Sequence, residues 1–133
     1  MELYHIELHL ETSLPPEEEY SLVKDLNHNK VRICFDMGNS ASKGYEPNFS
    51  INTIKSFLGS VHIKDRKFNG SSVPLGTGSV KFFSVFKTLR DIKFSGPYSF
   101  QVYRNKHSNN MSLLKDSLTF INNIIVQVYD GRF

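Results

Sequence analysis

Glu11, Asp36, His62 and Gln101 each stand at the end of a short apolar run. The runs are Leu8-His9-Leu10-Glu11-Thr12, Cys34-Phe35-Asp36-Met37-Gly38-Asn39, Val61-His62-Ile63-Lys64-Asp65-Arg66 and Phe100-Gln101-Val102-Tyr103-Arg104. The gaps between the four residues are 25, 26 and 39 positions, the spacing of a repeating strand–helix unit. In a parallel barrel successive strands end on one rim, so residues remote in sequence meet there. Carboxylate, imidazole and amide donors gathered on such a rim suit a divalent cation.

The elements that must position these residues are legible in the pattern. Tyr4, Ile6, Leu8 and Leu10 alternate with polar residues, which predicts a first strand over Leu3 to Leu10. Ser13 is placed to cap a helix that Pro15-Pro16 opens, and Glu17, Glu18 and Glu19 suit its positive end. Val31 to Phe35 reads as the second strand, with Gly38-Asn39-Ser40 as the loop after it. Ile51, Ile54, Phe57 and Leu58 mark a short helix, and Ser60 to Ile63 a third strand. Lys67 to Gly78 is rich in turn formers. Val80, Phe83, Phe86 and Leu89 form a helical stripe, read as core. Tyr98 to Tyr103 predicts the fourth strand, and Leu114, Leu118, Ile121, Ile125 and Val128 a long amphipathic helix. Alternation of this kind implies an α/β fold of four parallel βα units.

Parity adds direction. Val31, Ile33 and Phe35 form one apolar face of the second strand, and Arg32, Cys34 and Asp36 the other. In a barrel the outer face packs on helices and the inner face carries the site. By the same parity Glu11, His62 and Gln101 face inward, together with His9, Ser60, Lys64 and Tyr103.

Composition bounds the alternatives. A chain of 133 residues with 39% hydrophobic residues supports one modest domain with a core. The net charge of +3 is too small to argue for nucleic-acid binding. The one cysteine, Cys34, excludes an internal disulfide, fits a reducing compartment and reads as a small buried strand residue. No segment approaches the roughly 18 apolar residues of a membrane helix. Met1-Glu2-Leu3-Tyr4-His5 lacks the basic flank of a signal peptide, so the expected location is cytoplasmic.

Five strings resemble the xylose isomerase-like TIM-barrel family. They are Glu11-Thr12, Phe35-Asp36-Met37-Gly38-Asn39-Ser40-Ala41, Val61-His62-Ile63-Lys64-Asp65-Arg66, Val73-Pro74-Leu75-Gly76-Thr77-Gly78 and Phe100-Gln101-Val102-Tyr103-Arg104. The similarity is to its sugar-phosphate isomerase and epimerase branch, related to metal-dependent apurinic endonucleases. That family has eight strands and about 250 residues. The resemblance therefore implies half a TIM barrel, with the four units in the order of strands five to eight. Residues 1–133 are then one C-terminal half-barrel domain of a longer barrel. The missing N-terminal half, or a second copy of the chain, becomes the expected partner.

The resemblance implies a divalent metal (Mn2+, Mg2+, Co2+ or Zn2+) on Glu11, Asp36 and His62, with Gln101 in the fourth position, where glutamate is commoner. Glutamine cannot take a proton, which disfavours two-base epimerisation. Glu11 alone can still shuttle a proton between neighbouring carbons through an enediolate. The implied activity is isomerisation or epimerisation of a sugar or sugar phosphate. Asn39, where the family often carries histidine, and Lys64, Asp65, Arg66 and Arg104 are the candidates for substrate contact, the last group because loops after the seventh and eighth strands bind phosphate. Asp65 is also placed to orient His62. Each residue has a plainer reading: Asp36 as a turn cap, Asn39 as a turn residue, the basic side chains as surface charge. The alternative for the whole chain is a non-catalytic remnant or interaction module that keeps the barrel motifs. DNA processing is disfavoured, because it calls for more histidines and a multi-metal cluster.

Overall fold

The computed structural model describes residues 5–107 and 109–131. Four strands form one sheet in the order β1 (Leu8–Leu10), β2 (Val31–Asp36), β3 (Leu58–Ile63) and β6 (Tyr98–Phe100), and every neighbouring pair is parallel. Helix α1 (Pro16–Leu26) links β1 to β2. Helices α2 (Met37–Ser42) and α3 (Pro47–Ile54) link β2 to β3. Between β3 and β6 lie a two-stranded antiparallel ribbon, β4 (Asp65–Arg66) with β5 (Ser72–Val73), and helix α4 (Phe82–Asp91). Helix α5 (Asn110–Asp130) follows β6.

Local chemistry explains most boundaries. Pro15 and Pro16 start α1, three glutamates fill its first turn, and Asn27 ends it in the left-handed conformation at φ 44°. Ser13 makes no cap, because Pro15 occupies that position. Asn109 caps α5 by accepting the Met111 N–H, and Gly131 terminates it at φ 63°. Of the expected first strand, Leu3 and Tyr4 lie outside the described residues and only Leu8–Leu10 pair with β2. The expected loop at Gly38 to Ser40 is instead α2, because the Asp36 carboxylate accepts the Asn39 N–H and nucleates a turn. Phe57 and Leu58 do not belong to α3: the helix stops at Ile54 and Leu58 begins β3. Val80 precedes α4, its N–H held by Asp65.

The sheet is two-faced, as the parity requires. Val31, Ile33 and Phe35 of β2 and Val61 and Ile63 of β3 are buried among Val23, Ile51, Ile54, Val85, Phe86, Leu89, Ile121 and Val128 from the helices. The opposite face carries His9, Cys34, Asp36, Ser60 and His62. It is held by polar contacts such as His9 Nδ1 to Ser60 Oγ at 2.8 Å. Among the described residues, no strand pairs with the outer edges of β1 and β6. Leu8 on β1, Tyr98 and Phe100 on β6, and Leu114 and Leu118 on α5 are exposed apolar side chains.

Candidate functional site

The site lies where β1, β2 and β3 end on the polar face. Glu11 follows β1, Asp36 ends β2 and starts α2, and His62 is the penultimate residue of β3, opposite Asp36 in the register. His62 Nδ1 is 2.9 Å from Glu11 Oε2 and 3.9 Å from Asp36 Oδ2. Neither His62 Nδ1 nor Asp36 Oδ2 has a hydrogen-bond partner in good geometry, although both are buried atoms. Buried polar atoms are almost always paired; here the nearest partners are ionic, Glu11 Oε2 beside His62 Nδ1 and Lys64 Nζ at 3.6 Å from Asp36 Oδ2.

The two readings of Asp36 divide between its oxygens. Oδ1 accepts the Asn39 N–H at 2.7 Å and caps α2. Oδ2 is left facing the polar side of the sheet, with the side chain only 1% exposed. Burial pushes this carboxyl above the usual aspartate range, against the opposing pull of the Asn39 N–H and the Lys64 ammonium. The Lys64 ammonium, 3.6 Å from Oδ2, is the cation that compensates part of this burial. Oxygen and nitrogen donors from three strands are of the types that suit a divalent ion.

Glu11 is braced from the side. Its Oε1 accepts from Asn39 Nδ2 at 2.8 Å, while Asn39 Oδ1 accepts from Arg66 Nη1 at 2.9 Å. Arg66 in turn donates through Nε and Nη2 to the Gly70 carbonyl. The brace forms because α2 lies tight against the strand ends. A Cβ on Gly38 would stand 2.9 Å from Lys64 Cγ and 3.2 Å from Arg66 Cγ.

Several expected substrate contacts are therefore placed differently. Arg66 and Asn39 spend their polar atoms on each other, on Gly70 and on Glu11; they position the carboxylate rather than offer themselves to an anion. Asp65 does not face the site. It is 1% exposed, and its carboxylate accepts the N–H groups of Gly76, Gly78 and Val80 at 2.9, 2.9 and 3.1 Å. Its hydrogen bonds go to the loop and not to His62, so it pins Gly76-Thr77-Gly78. A Cβ on Gly78 would collide with that carboxylate. Gln101 reaches the group only through Lys64, whose Nζ donates to Gln101 Oε1 at 2.9 Å and lies 3.6 Å from Asp36 Oδ2. Arg104 is exposed, beyond the end of β6.

Cys34 is buried as expected, but it also lies on the site's face, two residues below Asp36. Among the described residues, Glu11, Cys34 and His62 are the group whose ligand atoms all lie within 4.8 Å of one another. The signal was the strand parity itself, which put Cys34 and Asp36 on one face.

Known proteins share this arrangement of strands. Residues 5–124 match the sequence profile described as xylose isomerase-like TIM barrel. The chain belongs to the xylose isomerase-like TIM-barrel family. The uncharacterized protein MJ1311 of Methanocaldococcus jannaschii is 23% identical over 118 residues, which is 86% of this chain and 40% of that protein. A xylose isomerase domain protein from Planctomyces limnophilus superposes with a TM-score of 0.79 at 23% identity, over 93% of this chain and 48% of that one. An L-ribulose 3-epimerase superposes with a TM-score of 0.75 at 17% identity, over 94% and 48%. A D-allulose 3-epimerase from Methylomonas sp. gives 0.73 at 22% identity, over 90% and 49%. At these identities the likeness to the solved structures is one of fold. The chain spans about half the length of these solved relatives and 40% of MJ1311. In the xylose isomerase-like family frame, the four parallel strands are half of a TIM barrel. Among the described residues no helix is long and apolar enough to cross a membrane.

Proposed function

We propose that this chain is the metal-binding, C-terminal half of a barrel enzyme that isomerises a sugar or sugar phosphate. The observation that supports the proposal is His62 Nδ1 standing 2.9 Å from Glu11 Oε2 and 3.9 Å from Asp36 Oδ2, with His62 Nδ1 and Asp36 Oδ2 buried without a hydrogen-bond partner. A divalent metal bound there would polarise a substrate carbonyl.

The chain's own residues supply the rest. Glu11 is the base. Asn39 holds its Oε1, so Oε2 keeps one orientation and can take a proton from one carbon and return it to the next. The Gly70–Arg66–Asn39 brace keeps that oxygen from swinging away. Gln101 cannot serve as a second base, which favours proton transfer between adjacent carbons by one carboxylate over inversion by two. Lys64 faces the same space and is suited to an alkoxide or phosphate oxygen once it leaves Gln101. Arg104 is the remaining basic candidate for an anionic substrate group. The edges of β1 and β6, unpaired among the described residues, with Leu8, Tyr98 and Phe100 exposed, support completion of the barrel by an N-terminal half or a second copy.

A second reading has its own support. The Lys64 ammonium already stands 3.6 Å from Asp36 Oδ2, so a remnant without metal would keep part of its charge balance. Calorimetric titration with Mn2+ separates the two. We expect stoichiometric binding that His62→Ala abolishes. Retained stoichiometric binding in His62→Ala removes the central role given to that residue, and no binding by the wild-type chain supports the remnant.

A further inference from the structure

Three donors of the site are accounted for by the reading above, on which this inference rests; the fourth is not. Gln101 is engaged by Lys64, whose ammonium lies 3.6 Å from Asp36 Oδ2. Cys34 stands two residues before Asp36 on the same strand. Its ligand atom and those of Glu11 and His62 lie within 4.8 Å of one another, and the unpartnered Asp36 Oδ2 comes from the next inward position of the same strand.

We propose that Cys34 is the fourth metal ligand and that the site takes a thiophilic divalent ion such as Zn2+ or Co2+ in preference to Mg2+. Bonds of about 2.0–2.3 Å bracket donor atoms roughly 3–4 Å apart, so small side-chain rotations close Glu11, Cys34 and His62 on one centre, and Asp36 Oδ2, 3.9 Å from His62 Nδ1, completes the set from the His62 side. Two carboxylates, an imidazole and a thiolate then form a mixed set. The sulfur is what selects the softer ion, since Mg2+ prefers an all-oxygen shell.

Residues beneath the sulfur hold it in place. Ser60 is the register partner of Cys34 on β3, and its hydroxyl lies against the thiol. Ser60 Oγ contacts His9 Nδ1 at 2.8 Å, and His9 Nε2 contacts Glu7 Oε2 at 3.2 Å. The Ser60 hydroxyl therefore stands between the His9 imidazole and the sulfur. Such outer partners orient a ligand.

Cobalt spectroscopy on the full chain decides the point. Cys34 is the only cysteine, so a near-ultraviolet thiolate-to-cobalt charge-transfer band has one source. We expect the Co2+-loaded protein to show this band beside its visible d–d bands. Cys34→Ser, folded by far-ultraviolet circular dichroism, should lose the charge-transfer band and keep the d–d bands. Its Zn2+ affinity should fall roughly tenfold or more, with Mg2+ affinity unchanged. Visible bands without the sulfur band in the wild type overturn the ligand role of Cys34 while leaving the site itself standing. Survival of the band in Cys34→Ser overturns that role as well. Failure of the wild type to bind Co2+ overturns both. If the variant does not fold, the wild-type spectrum alone decides.

Discussion

Replacing Asp65 with asparagine should unfold this protein more readily than replacing any of the exposed residues around the site. The Asp65 carboxylate is 1% exposed and accepts three backbone N–H groups, from Gly76 and Gly78 on Oδ2 and from Val80 on Oδ1. An asparagine fits the volume. Its best pose keeps oxygen toward the two glycines and turns its NH2 against the Val80 N–H, donor against donor. One charge-assisted bond is lost, at about 1.5–3 kcal/mol, and two more weaken to neutral bonds, at about 1 kcal/mol each. Relief of the buried charge offsets part of this. The net loss is about 2–4 kcal/mol, a large share of a typical stability of about 5–15 kcal/mol. Urea unfolding followed by circular dichroism should show it, with a fall in melting temperature of roughly 10 °C. Gly78→Ala, whose Cβ would strike the same carboxylate, should destabilise too, and the double variant should cost less than the sum, because both break one contact. A loss below about 1 kcal/mol for Asp65→Asn, or strict additivity in the cycle, would refute the clamp.

Other outcomes follow from the same geometry. Glu19 is buried with Thr12 Oγ1 donating to it at 2.8 Å, and burial raises its carboxyl above the usual value. The folded state then holds its proton more tightly than the unfolded state does, so stability falls as pH rises from the usual glutamate range through the raised value. Glu19→Gln should flatten that part of the urea-midpoint profile, and an unchanged slope would show that the carboxyl is solvated. Lys64→Met should tighten Mn2+ binding by roughly tenfold, ~1.4 kcal/mol, because it removes a positive charge 3.6 Å from Asp36 Oδ2; weaker binding would mean that the lysine orients Asp36 instead. Light scattering on the isolated chain should show self-association through the open edges, reduced by Leu8→Arg, whereas a stable monomer of well-folded wild type would count against edge pairing.

The strand ends were legible because a strand alternates with a period of two and its buried face must be apolar. Val31, Ile33 and Phe35 against Cys34 and Asp36 is enough to say which way Asp36 points. The same rule, carried two residues past Ile63, sets Asp65 on the opposite face from Lys64, against the expectation that Asp65 contacts substrate or His62. Asp65 shares the parity of Val61 and Ile63, and the structure buries it on that side. The α2 helix was not legible, since Gly38-Asn39-Ser40 has turn composition and only the Asp36 cap converts it. The β4–β5 ribbon hides in a run of turn formers for a similar reason: two residues per strand carry no period.

Periodicity along the chain is a local property, and it alone determined four parallel βα units, the inward set Glu11, Asp36 and His62, and the apolar side against the helices. What each inward side chain touches is not local. The Arg66–Asn39–Glu11 brace, the Lys64 bond to Gln101, the orphaned Asp36 Oδ2 and the approach of Cys34 to Glu11 and His62 depend on strand register and on how closely α2 packs over the strand ends. Hydrogen bonding saturates at a few partners per atom. Which partner wins is therefore decided by distances of a few tenths of an ångström, which only the assembled sheet sets.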